Sequence, residues 1–395
     1  MAITTALSCN ANGKQIAICF PGDLFTSEET TTATASHDGL QFVTKMEFSR
    51  ECSLLRRTDY IVNTTSEVIN IDSLSSIMEI PTKHPELTII RSAWSREAQA
   101  EVADCTSGPL TIESPGRSCY NYRPCAVIKS PELGRIILNL LPIGDWRMTF
   151  DCKKSPGSMI VEIGHPKDKW ALDLPPGEKY QIGISCLIQI AAPGDDKPLG
   201  HFVQRYALDK LSRRSHNPLP VVYNNWFDRF HRISWESLTT QLDAAAEIGC
   251  ETFVVNAGWF GPTREDWGSV GDWRENPQIF GEKSLKDFAD LVRSKGLNFG
   301  LWMEPERVNG DTPIWTQHPD WFIPAGEFYY PNLLNPSARD WVMSEMVRLI
   351  ETYDLKWFTI DCNQNFSPDP EMRAHELRIK ALYDMLDELA EGSPE

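Results

Sequence analysis

The chain has no excess of positive charge. Lys and Arg total 38 against 55 Asp and Glu, a net charge of -17. That balance excludes nucleic acid or an anionic membrane surface as the main partner, and it suits a neutral ligand such as a sugar. No apolar run reaches membrane-spanning length. The opening segment "MAITTALSCNANGKQIAICF" has no basic stretch leading into an apolar one, so no signal peptide and a cytoplasmic location are expected. Close cysteine pairs are missing too. The ten cysteines are scattered without zinc-type spacing, which points to free thiols in a reducing compartment. Histidine is sparse, and His231, His318 and His375 show no metal spacing. Neither a metal nor an organic cofactor is expected. No Gly-rich phosphate loop follows a strand, which disfavours dinucleotide and phosphate chemistry.

What remains is an ordinary globular composition, 41% hydrophobic and 24% charged. A length of 395 residues makes two domains the default. The pattern changes near residue 216. Before it lie short β-branched or alternating runs, among them "LQFVTKMEF", "DYIVNTT", "LTIIRSAW", "RIILNLLPI", "WRMTFDC", "SMIVEIG" and "YQIGISCLIQI". Breaks such as "SPGRS" and "LPPGEKY" punctuate them. Residues 1–215 are therefore expected to form a β-sandwich. Its last segment, "GHFVQRYALDKLSRRSHNP", reads as a helical connector closed by Pro218.

After residue 216, strands and helices alternate. "PVVYNNW", "ETFVVNAGW", "LNFGLWMEPE" and "LKWFTID" read as strands. A helix from about Ser234 puts Leu238, Leu242 and Ala245 on one face and ends at Gly249. Ser284 can cap a second helix carrying Leu285, Phe288, Ala289 and Val292, ended by Gly296. A third from Ser337 carries Val342, Met346, Leu349 and Ile350, and a fourth Leu382, Met385, Leu386 and Leu389. Such alternation implies a parallel sheet, and near-continuous apolar strands imply burial on both faces. A doubly wound sheet and a TIM barrel both satisfy this. The strand ends favour the barrel, because "NNW", "NAGW", "WMEPE" and "DCN" gather polar and aromatic groups where a barrel builds its active site.

Each of these residues has a plainer reading. Asp361, at the end of an apolar run, could be a helix cap or a loop acid. Glu304 and Glu306 flank Pro305 and could be an acid pair, but neighbouring acids on a strand end face different ways, so hydrogen bonding to nearby loops is preferred. Tryptophans are more often core than sugar platforms. Strand-end position singles out Trp226 and Trp302 over Trp259 as candidate platforms. Asp272 in "GDW" is a rim contact or a turn residue.

Taken in order, "YNNW", "NAGWFG", "GDW", "FGLWMEPERV", "HPDWF" and "IDCN" resemble glycoside hydrolase family 36, the α-galactosidase group. "DYIVNTTSEVINIDSLSSIMEIP" and "RSAWSREAQAE" resemble the β-sandwich that precedes the barrel there. The resemblance runs from about residue 40 onward and rests on order and spacing rather than on one motif. It implies a retaining α-glycosidase whose nucleophile is Asp361, working with a second carboxylate about 5–5.5 Å away. With the strand-end tryptophans Trp226 and Trp302, the expected sugar contacts are Asn256, Thr359 and Asn363.

The chain departs from the family pattern at three positions, two of them among these places. Two acids usually precede the "GW" of the second strand; here they are Asn256 and Ala257. A lysine usually lies two residues before the nucleophile; here it is Thr359. Galactose is thereby questioned as the sugar. The family's acid/base aspartate belongs to a later strand, and no residue here corresponds to it. The expectation is the first half of a (β/α)8 barrel, residues 216–395, behaving as a truncated or fragment chain that is inactive by itself. Its partner would be an α-glycoside or oligosaccharide, with no nucleic acid and no membrane, and with self-association into a homo-oligomer as a further expectation. The competing expectation is a sugar-binding or relic protein without catalysis.

Overall fold

The computed structural model describes residues 3–20, 25, 29–93, 95–114, 121–165, 170–195, 200–212, 219–262, 267–362 and 372–392, with the backbone alone for 372–375. The chain divides into two compact units. One comprises residues 1–216 with 368–379, the other 217–367 with 380–395.

The first unit consists of two antiparallel sheets. The seven-stranded sheet runs in the order Lys14–Phe20, Thr4–Ala11, Ile69–Pro81, Ser158–Gly164, Trp146–Asp151, Leu110–Ser114, with Leu172–Leu174 beside Ile69–Pro81. The nine-stranded sheet runs Thr30–His37, Leu40–Ser49, Leu54–Asn63, Ile184–Ala191, Gly134–Pro142, Tyr122–Ser130, Glu86–Arg91, Gln99–Ala103, with Lys179–Gln181 beside Leu54–Asn63. Alternate residues of both sheets meet in one core: Leu7, Ile71, Met78, Phe150 and Val161 from the first, and Phe42, Ile61, Ile128, Leu138 and Ile188 from the second. This is the sandwich expected from the sequence.

Several of its strands were not among the expected runs. Thr4–Ala11 and Lys14–Phe20 form a hairpin whose turn residues, Asn12 and Gly13, both have positive φ (49° and 76°). Asp38 and Gly39 turn the Thr30–His37/Leu40–Ser49 hairpin in the same way (47° and 76°). Asn-Gly and Asp-Gly dipeptides favour such turns because both tolerate the left-handed region. "YQIGISCLIQI", expected as one strand, is two, Lys179–Gln181 and Ile184–Ala191. They are separated at Ile182–Gly183, where Ile182 N–H bonds to the Asp59 carbonyl and Gly183 lies against Glu376. The connector is a helix over Gly200–Tyr206 followed by a wider turn to Leu211. Pro218 lies outside the described residues.

A buried ion pair ties the first unit together. Arg57 and Asp59 are 1% and 2% exposed, with Nε 2.8 Å from Oδ2. Arg57 also donates to the carbonyls of Ile77 and Ala6, each at 2.9 Å, so one guanidinium of the nine-stranded sheet bonds to two strands of the other sheet. The Ser76 hydroxyl donates to Asp59.

The second unit is a four-stranded parallel sheet in the order Val222–Asn224, Thr252–Val255, Asn298–Met303, Trp357–Ile360. These are its first to fourth strands. The longer helices run over Trp235–Glu247, Leu285–Ser294 and Pro336–Tyr353, and the last helix, Met372–Gly392, belongs to this unit from residue 380 onward. Ser234 and Ser284 cap the first two through reciprocal capping boxes with Ser237 and Asp287, satisfying N–H groups that the first helical turn leaves bare. The third starts one residue earlier than expected because Asn335, not Ser337, accepts the capping bond. The expected apolar stripes (Leu238, Leu242, Ala245; Leu285, Phe288, Ala289, Val292; Val342, Met346, Leu349) are buried. With Phe253, Val255, Phe299 and Leu301 they build the second core. The middle strands are almost wholly buried, whereas every residue of the fourth strand is only half-buried. Gly300 has a structural role here: a Cβ on it would lie 2.8 Å from Val254 and 3.0 Å from Trp357, so the flanking strands close on the third only because it has no side chain.

Candidate functional site at the strand ends

The register of the parallel sheet sets the geometry of the candidate site. Asn224 pairs with Val254, Val255 with Leu301, and Met303 with Ile360. Asn225, Asn256, Glu304 and Asp361, one residue past each strand, therefore emerge at one edge of the sheet. The Asp361 N–H bonds to the Met303 carbonyl at 3.2 Å and continues the ladder by one residue. This fixes the Asp361 backbone to a rigid strand.

Asp361 is half-buried, and its Oδ2 accepts a 3.2 Å hydrogen bond from the Trp302 indole. Trp302 is itself 2% exposed, its ring stacked on Phe260 with centroids 5.9 Å apart. Its carbonyl accepts from the Trp259 indole at 2.9 Å. The expected platform is thus a buried support that faces the carboxylate. Trp259 is fully buried as well, in agreement with its plainer reading as core.

Glu304 lies behind Asp361. It is 2% exposed and forms a 2.6 Å ion pair with Arg307, itself buried, and its Oε1 has no hydrogen-bond partner. Burial pushes its carboxyl up to about 7, against the pull of Arg307 and Cys362, and the Asp361 charge adds to the rise. Removing a carboxylate from water without full compensation favours its neutral form. Glu306 is also buried. Both acids flanking Pro305 are therefore internal to the strand-end structure.

The asparagines are engaged with one another. The Asn256 backbone N–H donates to Asn225 Oδ1 at 2.7 Å and its side-chain amide donates to Asn224 Oδ1 at 3.1 Å. Its own carbonyl oxygen accepts from the Ala257 N–H at 2.7 Å. Ala257 is fully buried. The next residue, Gly258, has φ 100°, and a Cβ there would sit 2.3 Å from the His231 carbonyl oxygen. The loop after the second strand can approach the loop after the first only with glycine at this position. Thr359 Oγ1 accepts from the Trp357 indole at 3.1 Å. Asn363 lies outside the described residues.

Beside these groups, Trp226, Arg229, Phe230, His231, Arg232 and Trp267 line an open cavity of about 690 Å³. Trp226 lies edge-on to Phe230 at 5.3 Å and 5.8 Å from Trp267. The Arg307 guanidinium is 5.3 Å from the Trp267 ring centroid, which links this cavity to the Glu304 pair. From the sequence, Trp267 in its long loop could line the rim or simply pack; here it lines the cavity. Asp272 is half-buried, and burial raises its carboxyl; its N–H bonds to the Ser269 carbonyl at 2.9 Å, a turn contact. Among the described residues, no three His, Cys, Asp or Glu side chains cluster as a metal site. None of the described helices is long and apolar enough to cross a membrane.

Residues 197–395 match the family model "Melibiase". A probable alpha-galactosidase G of Emericella nidulans is 25% identical over 367 residues, covering 86% of this chain and 49% of its own length. Alpha-galactosidase 1 of Pediococcus pentosaceus is 28% identical over 404 residues, covering 94% and 54%. Among solved structures, a variant of the GH36 alpha-galactosidase AgaA from Geobacillus stearothermophilus, in complex with raffinose, superposes with a TM-score of 0.82 at 19% identity, covering 99% of this chain and 60% of that one. The last likeness concerns the fold: a sandwich followed by a partial barrel. The chain spans about half the length of the curated relatives it matches.

Proposed function

The chain belongs to the melibiase family, and from that premise we propose that it carries the nucleophile-bearing part of a retaining α-glycosidase of α-galactosidase type. Residues 216–395 are the catalytic-barrel portion in this reading, and residues 1–215 the supporting sandwich. The observation that carries it is the hydrogen bond from the Trp302 indole to Asp361 at the end of the fourth strand. A carboxylate on a strand end, oriented by a buried donor and backed by Glu304, whose carboxyl burial raises to about 7, is held ready to attack an anomeric carbon. Trp226 offers the half-buried face on which a sugar ring stacks, while Asn256, Thr359 and Asn363 supply polar contacts.

Glu304 does not serve as the second, acid/base carboxyl in this reading. Its 2% exposure and its pairing with Arg307 keep it away from a leaving group. Residues 1–395 alone are accordingly expected to form the glycosyl-Asp361 ester slowly and to show no sustained turnover. An activated 2-deoxy-2-fluoroglycosyl fluoride tests this: a peptide bearing the sugar on Asp361 supports the reading, and no labelling, or labelling elsewhere, rejects it. In a longer chain that turns over, Asp361→Ala should lose most of kcat, and azide should restore part of it.

Substrate choice is a finer part of the proposal. Ala257 has no polar side-chain atom, and the Asn256 oxygen is already occupied by the Ala257 N–H. Each lost contact to a sugar hydroxyl costs on the order of 1–3 kcal/mol. Simple α-galactosides should therefore be weaker ligands than other α-glycosides. A binding panel that ranks galactosides first would refute this. The same contacts favour a second reading, a sugar-binding protein without catalysis, which the labelling experiment separates from the first.

Self-association completes the proposal. Among the described residues, the first and fourth strands each have one neighbour in the sheet, and such edges pair with other chains. Light scattering on residues 1–395 should show a dimer or larger species.

A further inference from the structure

Away from the strand ends, two thiols of the sandwich face each other. Cys105 and Cys152 lie with Sγ atoms 3.6 Å apart across a sequence separation of 47. Cys105 follows the edge strand Gln99–Ala103 of the nine-stranded sheet, in the crossing to the edge strand Leu110–Ser114 of the other sheet. Cys152 directly follows Trp146–Asp151, the strand paired with Leu110–Ser114. We propose that Cys105 and Cys152 form a reversible disulfide that staples the two sheets at this corner when the protein meets a disulfide oxidant such as oxidised glutathione.

The geometry favours this pair over the other cysteines. A disulfide needs the sulfurs at about 2.05 Å, so closure takes roughly 1.5 Å of side-chain movement. Turns on either side set the backbone. Asp104 Oδ1 accepts from the Thr106 N–H at 2.8 Å and the Ser107 N–H at 3.3 Å, and Asp151 Oδ1 from the Lys153 N–H at 2.8 Å and the Lys154 N–H at 3.1 Å. Lys153 Nζ reaches back to the Ser107 carbonyl and joins the two turns. Cys105 is buried and Cys152 half-buried, so an oxidant enters at Cys152. Burial pushes the Cys105 thiol up to about 12. Burial also raises Cys152, with the Asp151 and Asp104 charges acting in the same direction, but the hydrogen bond from Cys105 works the other way. Cys152 is thus the attacking thiol, and the reaction is slow at neutral pH.

The exchange balances. The Cys152 thiolate attacks one sulfur of oxidised glutathione, forming a mixed disulfide and expelling one glutathione thiolate. Cys105, deprotonated, then attacks Cys152 Sγ and expels the second. Two protein thiols are oxidised, one glutathione disulfide is reduced to two thiols, and the two cysteine protons end on glutathione.

The test uses the full chain in its native state. After incubation with oxidised glutathione, free thiols are alkylated under denaturing conditions and the peptides are mapped. The expected result is a Cys105–Cys152 peptide pair lighter by two hydrogens, a melting temperature higher by several degrees, and reversal of both by dithiothreitol. Cys152→Ser should remove the oxidant-dependent rise. Alkylation of both thiols in the oxidant-treated wild type, a persistent glutathione adduct on Cys152, a cross-link to another cysteine, or a linked protein with an unchanged melting temperature would each overturn the proposal. Because the mapping is done on the wild type, a variant that fails to fold does not block it.

Discussion

The sandwich unit and the parallel-sheet unit each bury an ionisable group, and burial pushes each towards its neutral form with opposite consequences. In the sandwich, His165 is buried against Trp170, its ring stacked at 5.0 Å. Burial pulls its imidazole down to about 4, although Asp145 favours the charged form and Arg147 opposes it. Tyr180 and the Glu376 carboxylate face it at 3.4 and 3.8 Å. In the parallel unit, burial drives Glu304 the other way, up to about 7. The cause is the same, the cost of taking charge from water. The outcome is a base that resists protonation in one unit and an acid that resists ionisation in the other. The parallel unit buries an ion pair too, Arg307 with Glu304, but in the sandwich the Arg57–Asp59 pair is completed by two carbonyls that Arg57 also bonds.

The largest effect should come from breaking that pair. Arg57→Ala leaves Asp59 buried without its cation and should cost ~3–5 kcal/mol, read as a lower denaturant midpoint for the sandwich. A loss below ~1 kcal/mol would mean that the pair adds nothing the sheets do not already provide.

Two effects of about equal size and opposite sign follow, each on the order of 3 kcal/mol. Between its ordinary pKa of 4.5 and about 7, Glu304 binds more protons folded than unfolded, so the parallel unit loses stability as pH rises through that window. Between about 4 and its ordinary 6.5, His165 binds fewer protons folded than unfolded, so the sandwich gains stability as pH rises there. Hydrogen exchange of amides in each unit across pH 4–7 should show the two slopes. Glu304→Gln should flatten the first and His165→Gln the second. Slopes of the same sign would remove the contrast.

The smallest expected effect lies in the helices. Ser284→Ala removes one side of a capping box and should cost ~1 kcal/mol, confined to the parallel unit. An equal loss of protection in the sandwich would show that the units do not respond independently.

Much of this was legible in the sequence, for reasons that differ by residue. Ser234 and Ser284 announce their helices because a cap is a local hydrogen bond, and Leu238, Phe288 and Met346 follow from the helical period. Strand ends were legible because apolar runs stop abruptly at Asn224, Asn256, Glu304 and Asp361. The hairpins at Asn12–Gly13 and Asp38–Gly39 carried their turn signals, but their first strands, Thr4–Ala11 and Thr30–His37, are rich in Thr, Ala and Ser and show no apolar alternation. The burial of Trp302 and the raised carboxyl of Glu304 could not be read at all. Both depend on what packs behind a strand end, and Phe260, Arg307 and Cys362 meet there only in three dimensions.

The indole of Trp302 also serves as a magnetic reporter. Its N–H proton points at Asp361 Oδ2, so its nitrogen-15 and proton frequencies follow the charge of that carboxylate. The chain has 13 tryptophans, few enough for their indole signals to be assigned one by one through substitution. Titrating the resonance that vanishes in Trp302→Phe would give the ionisation of Asp361 directly, without substrate or turnover. A glycosyl group on the carboxylate would shift the same line, so the intermediate could be watched as it forms and decays.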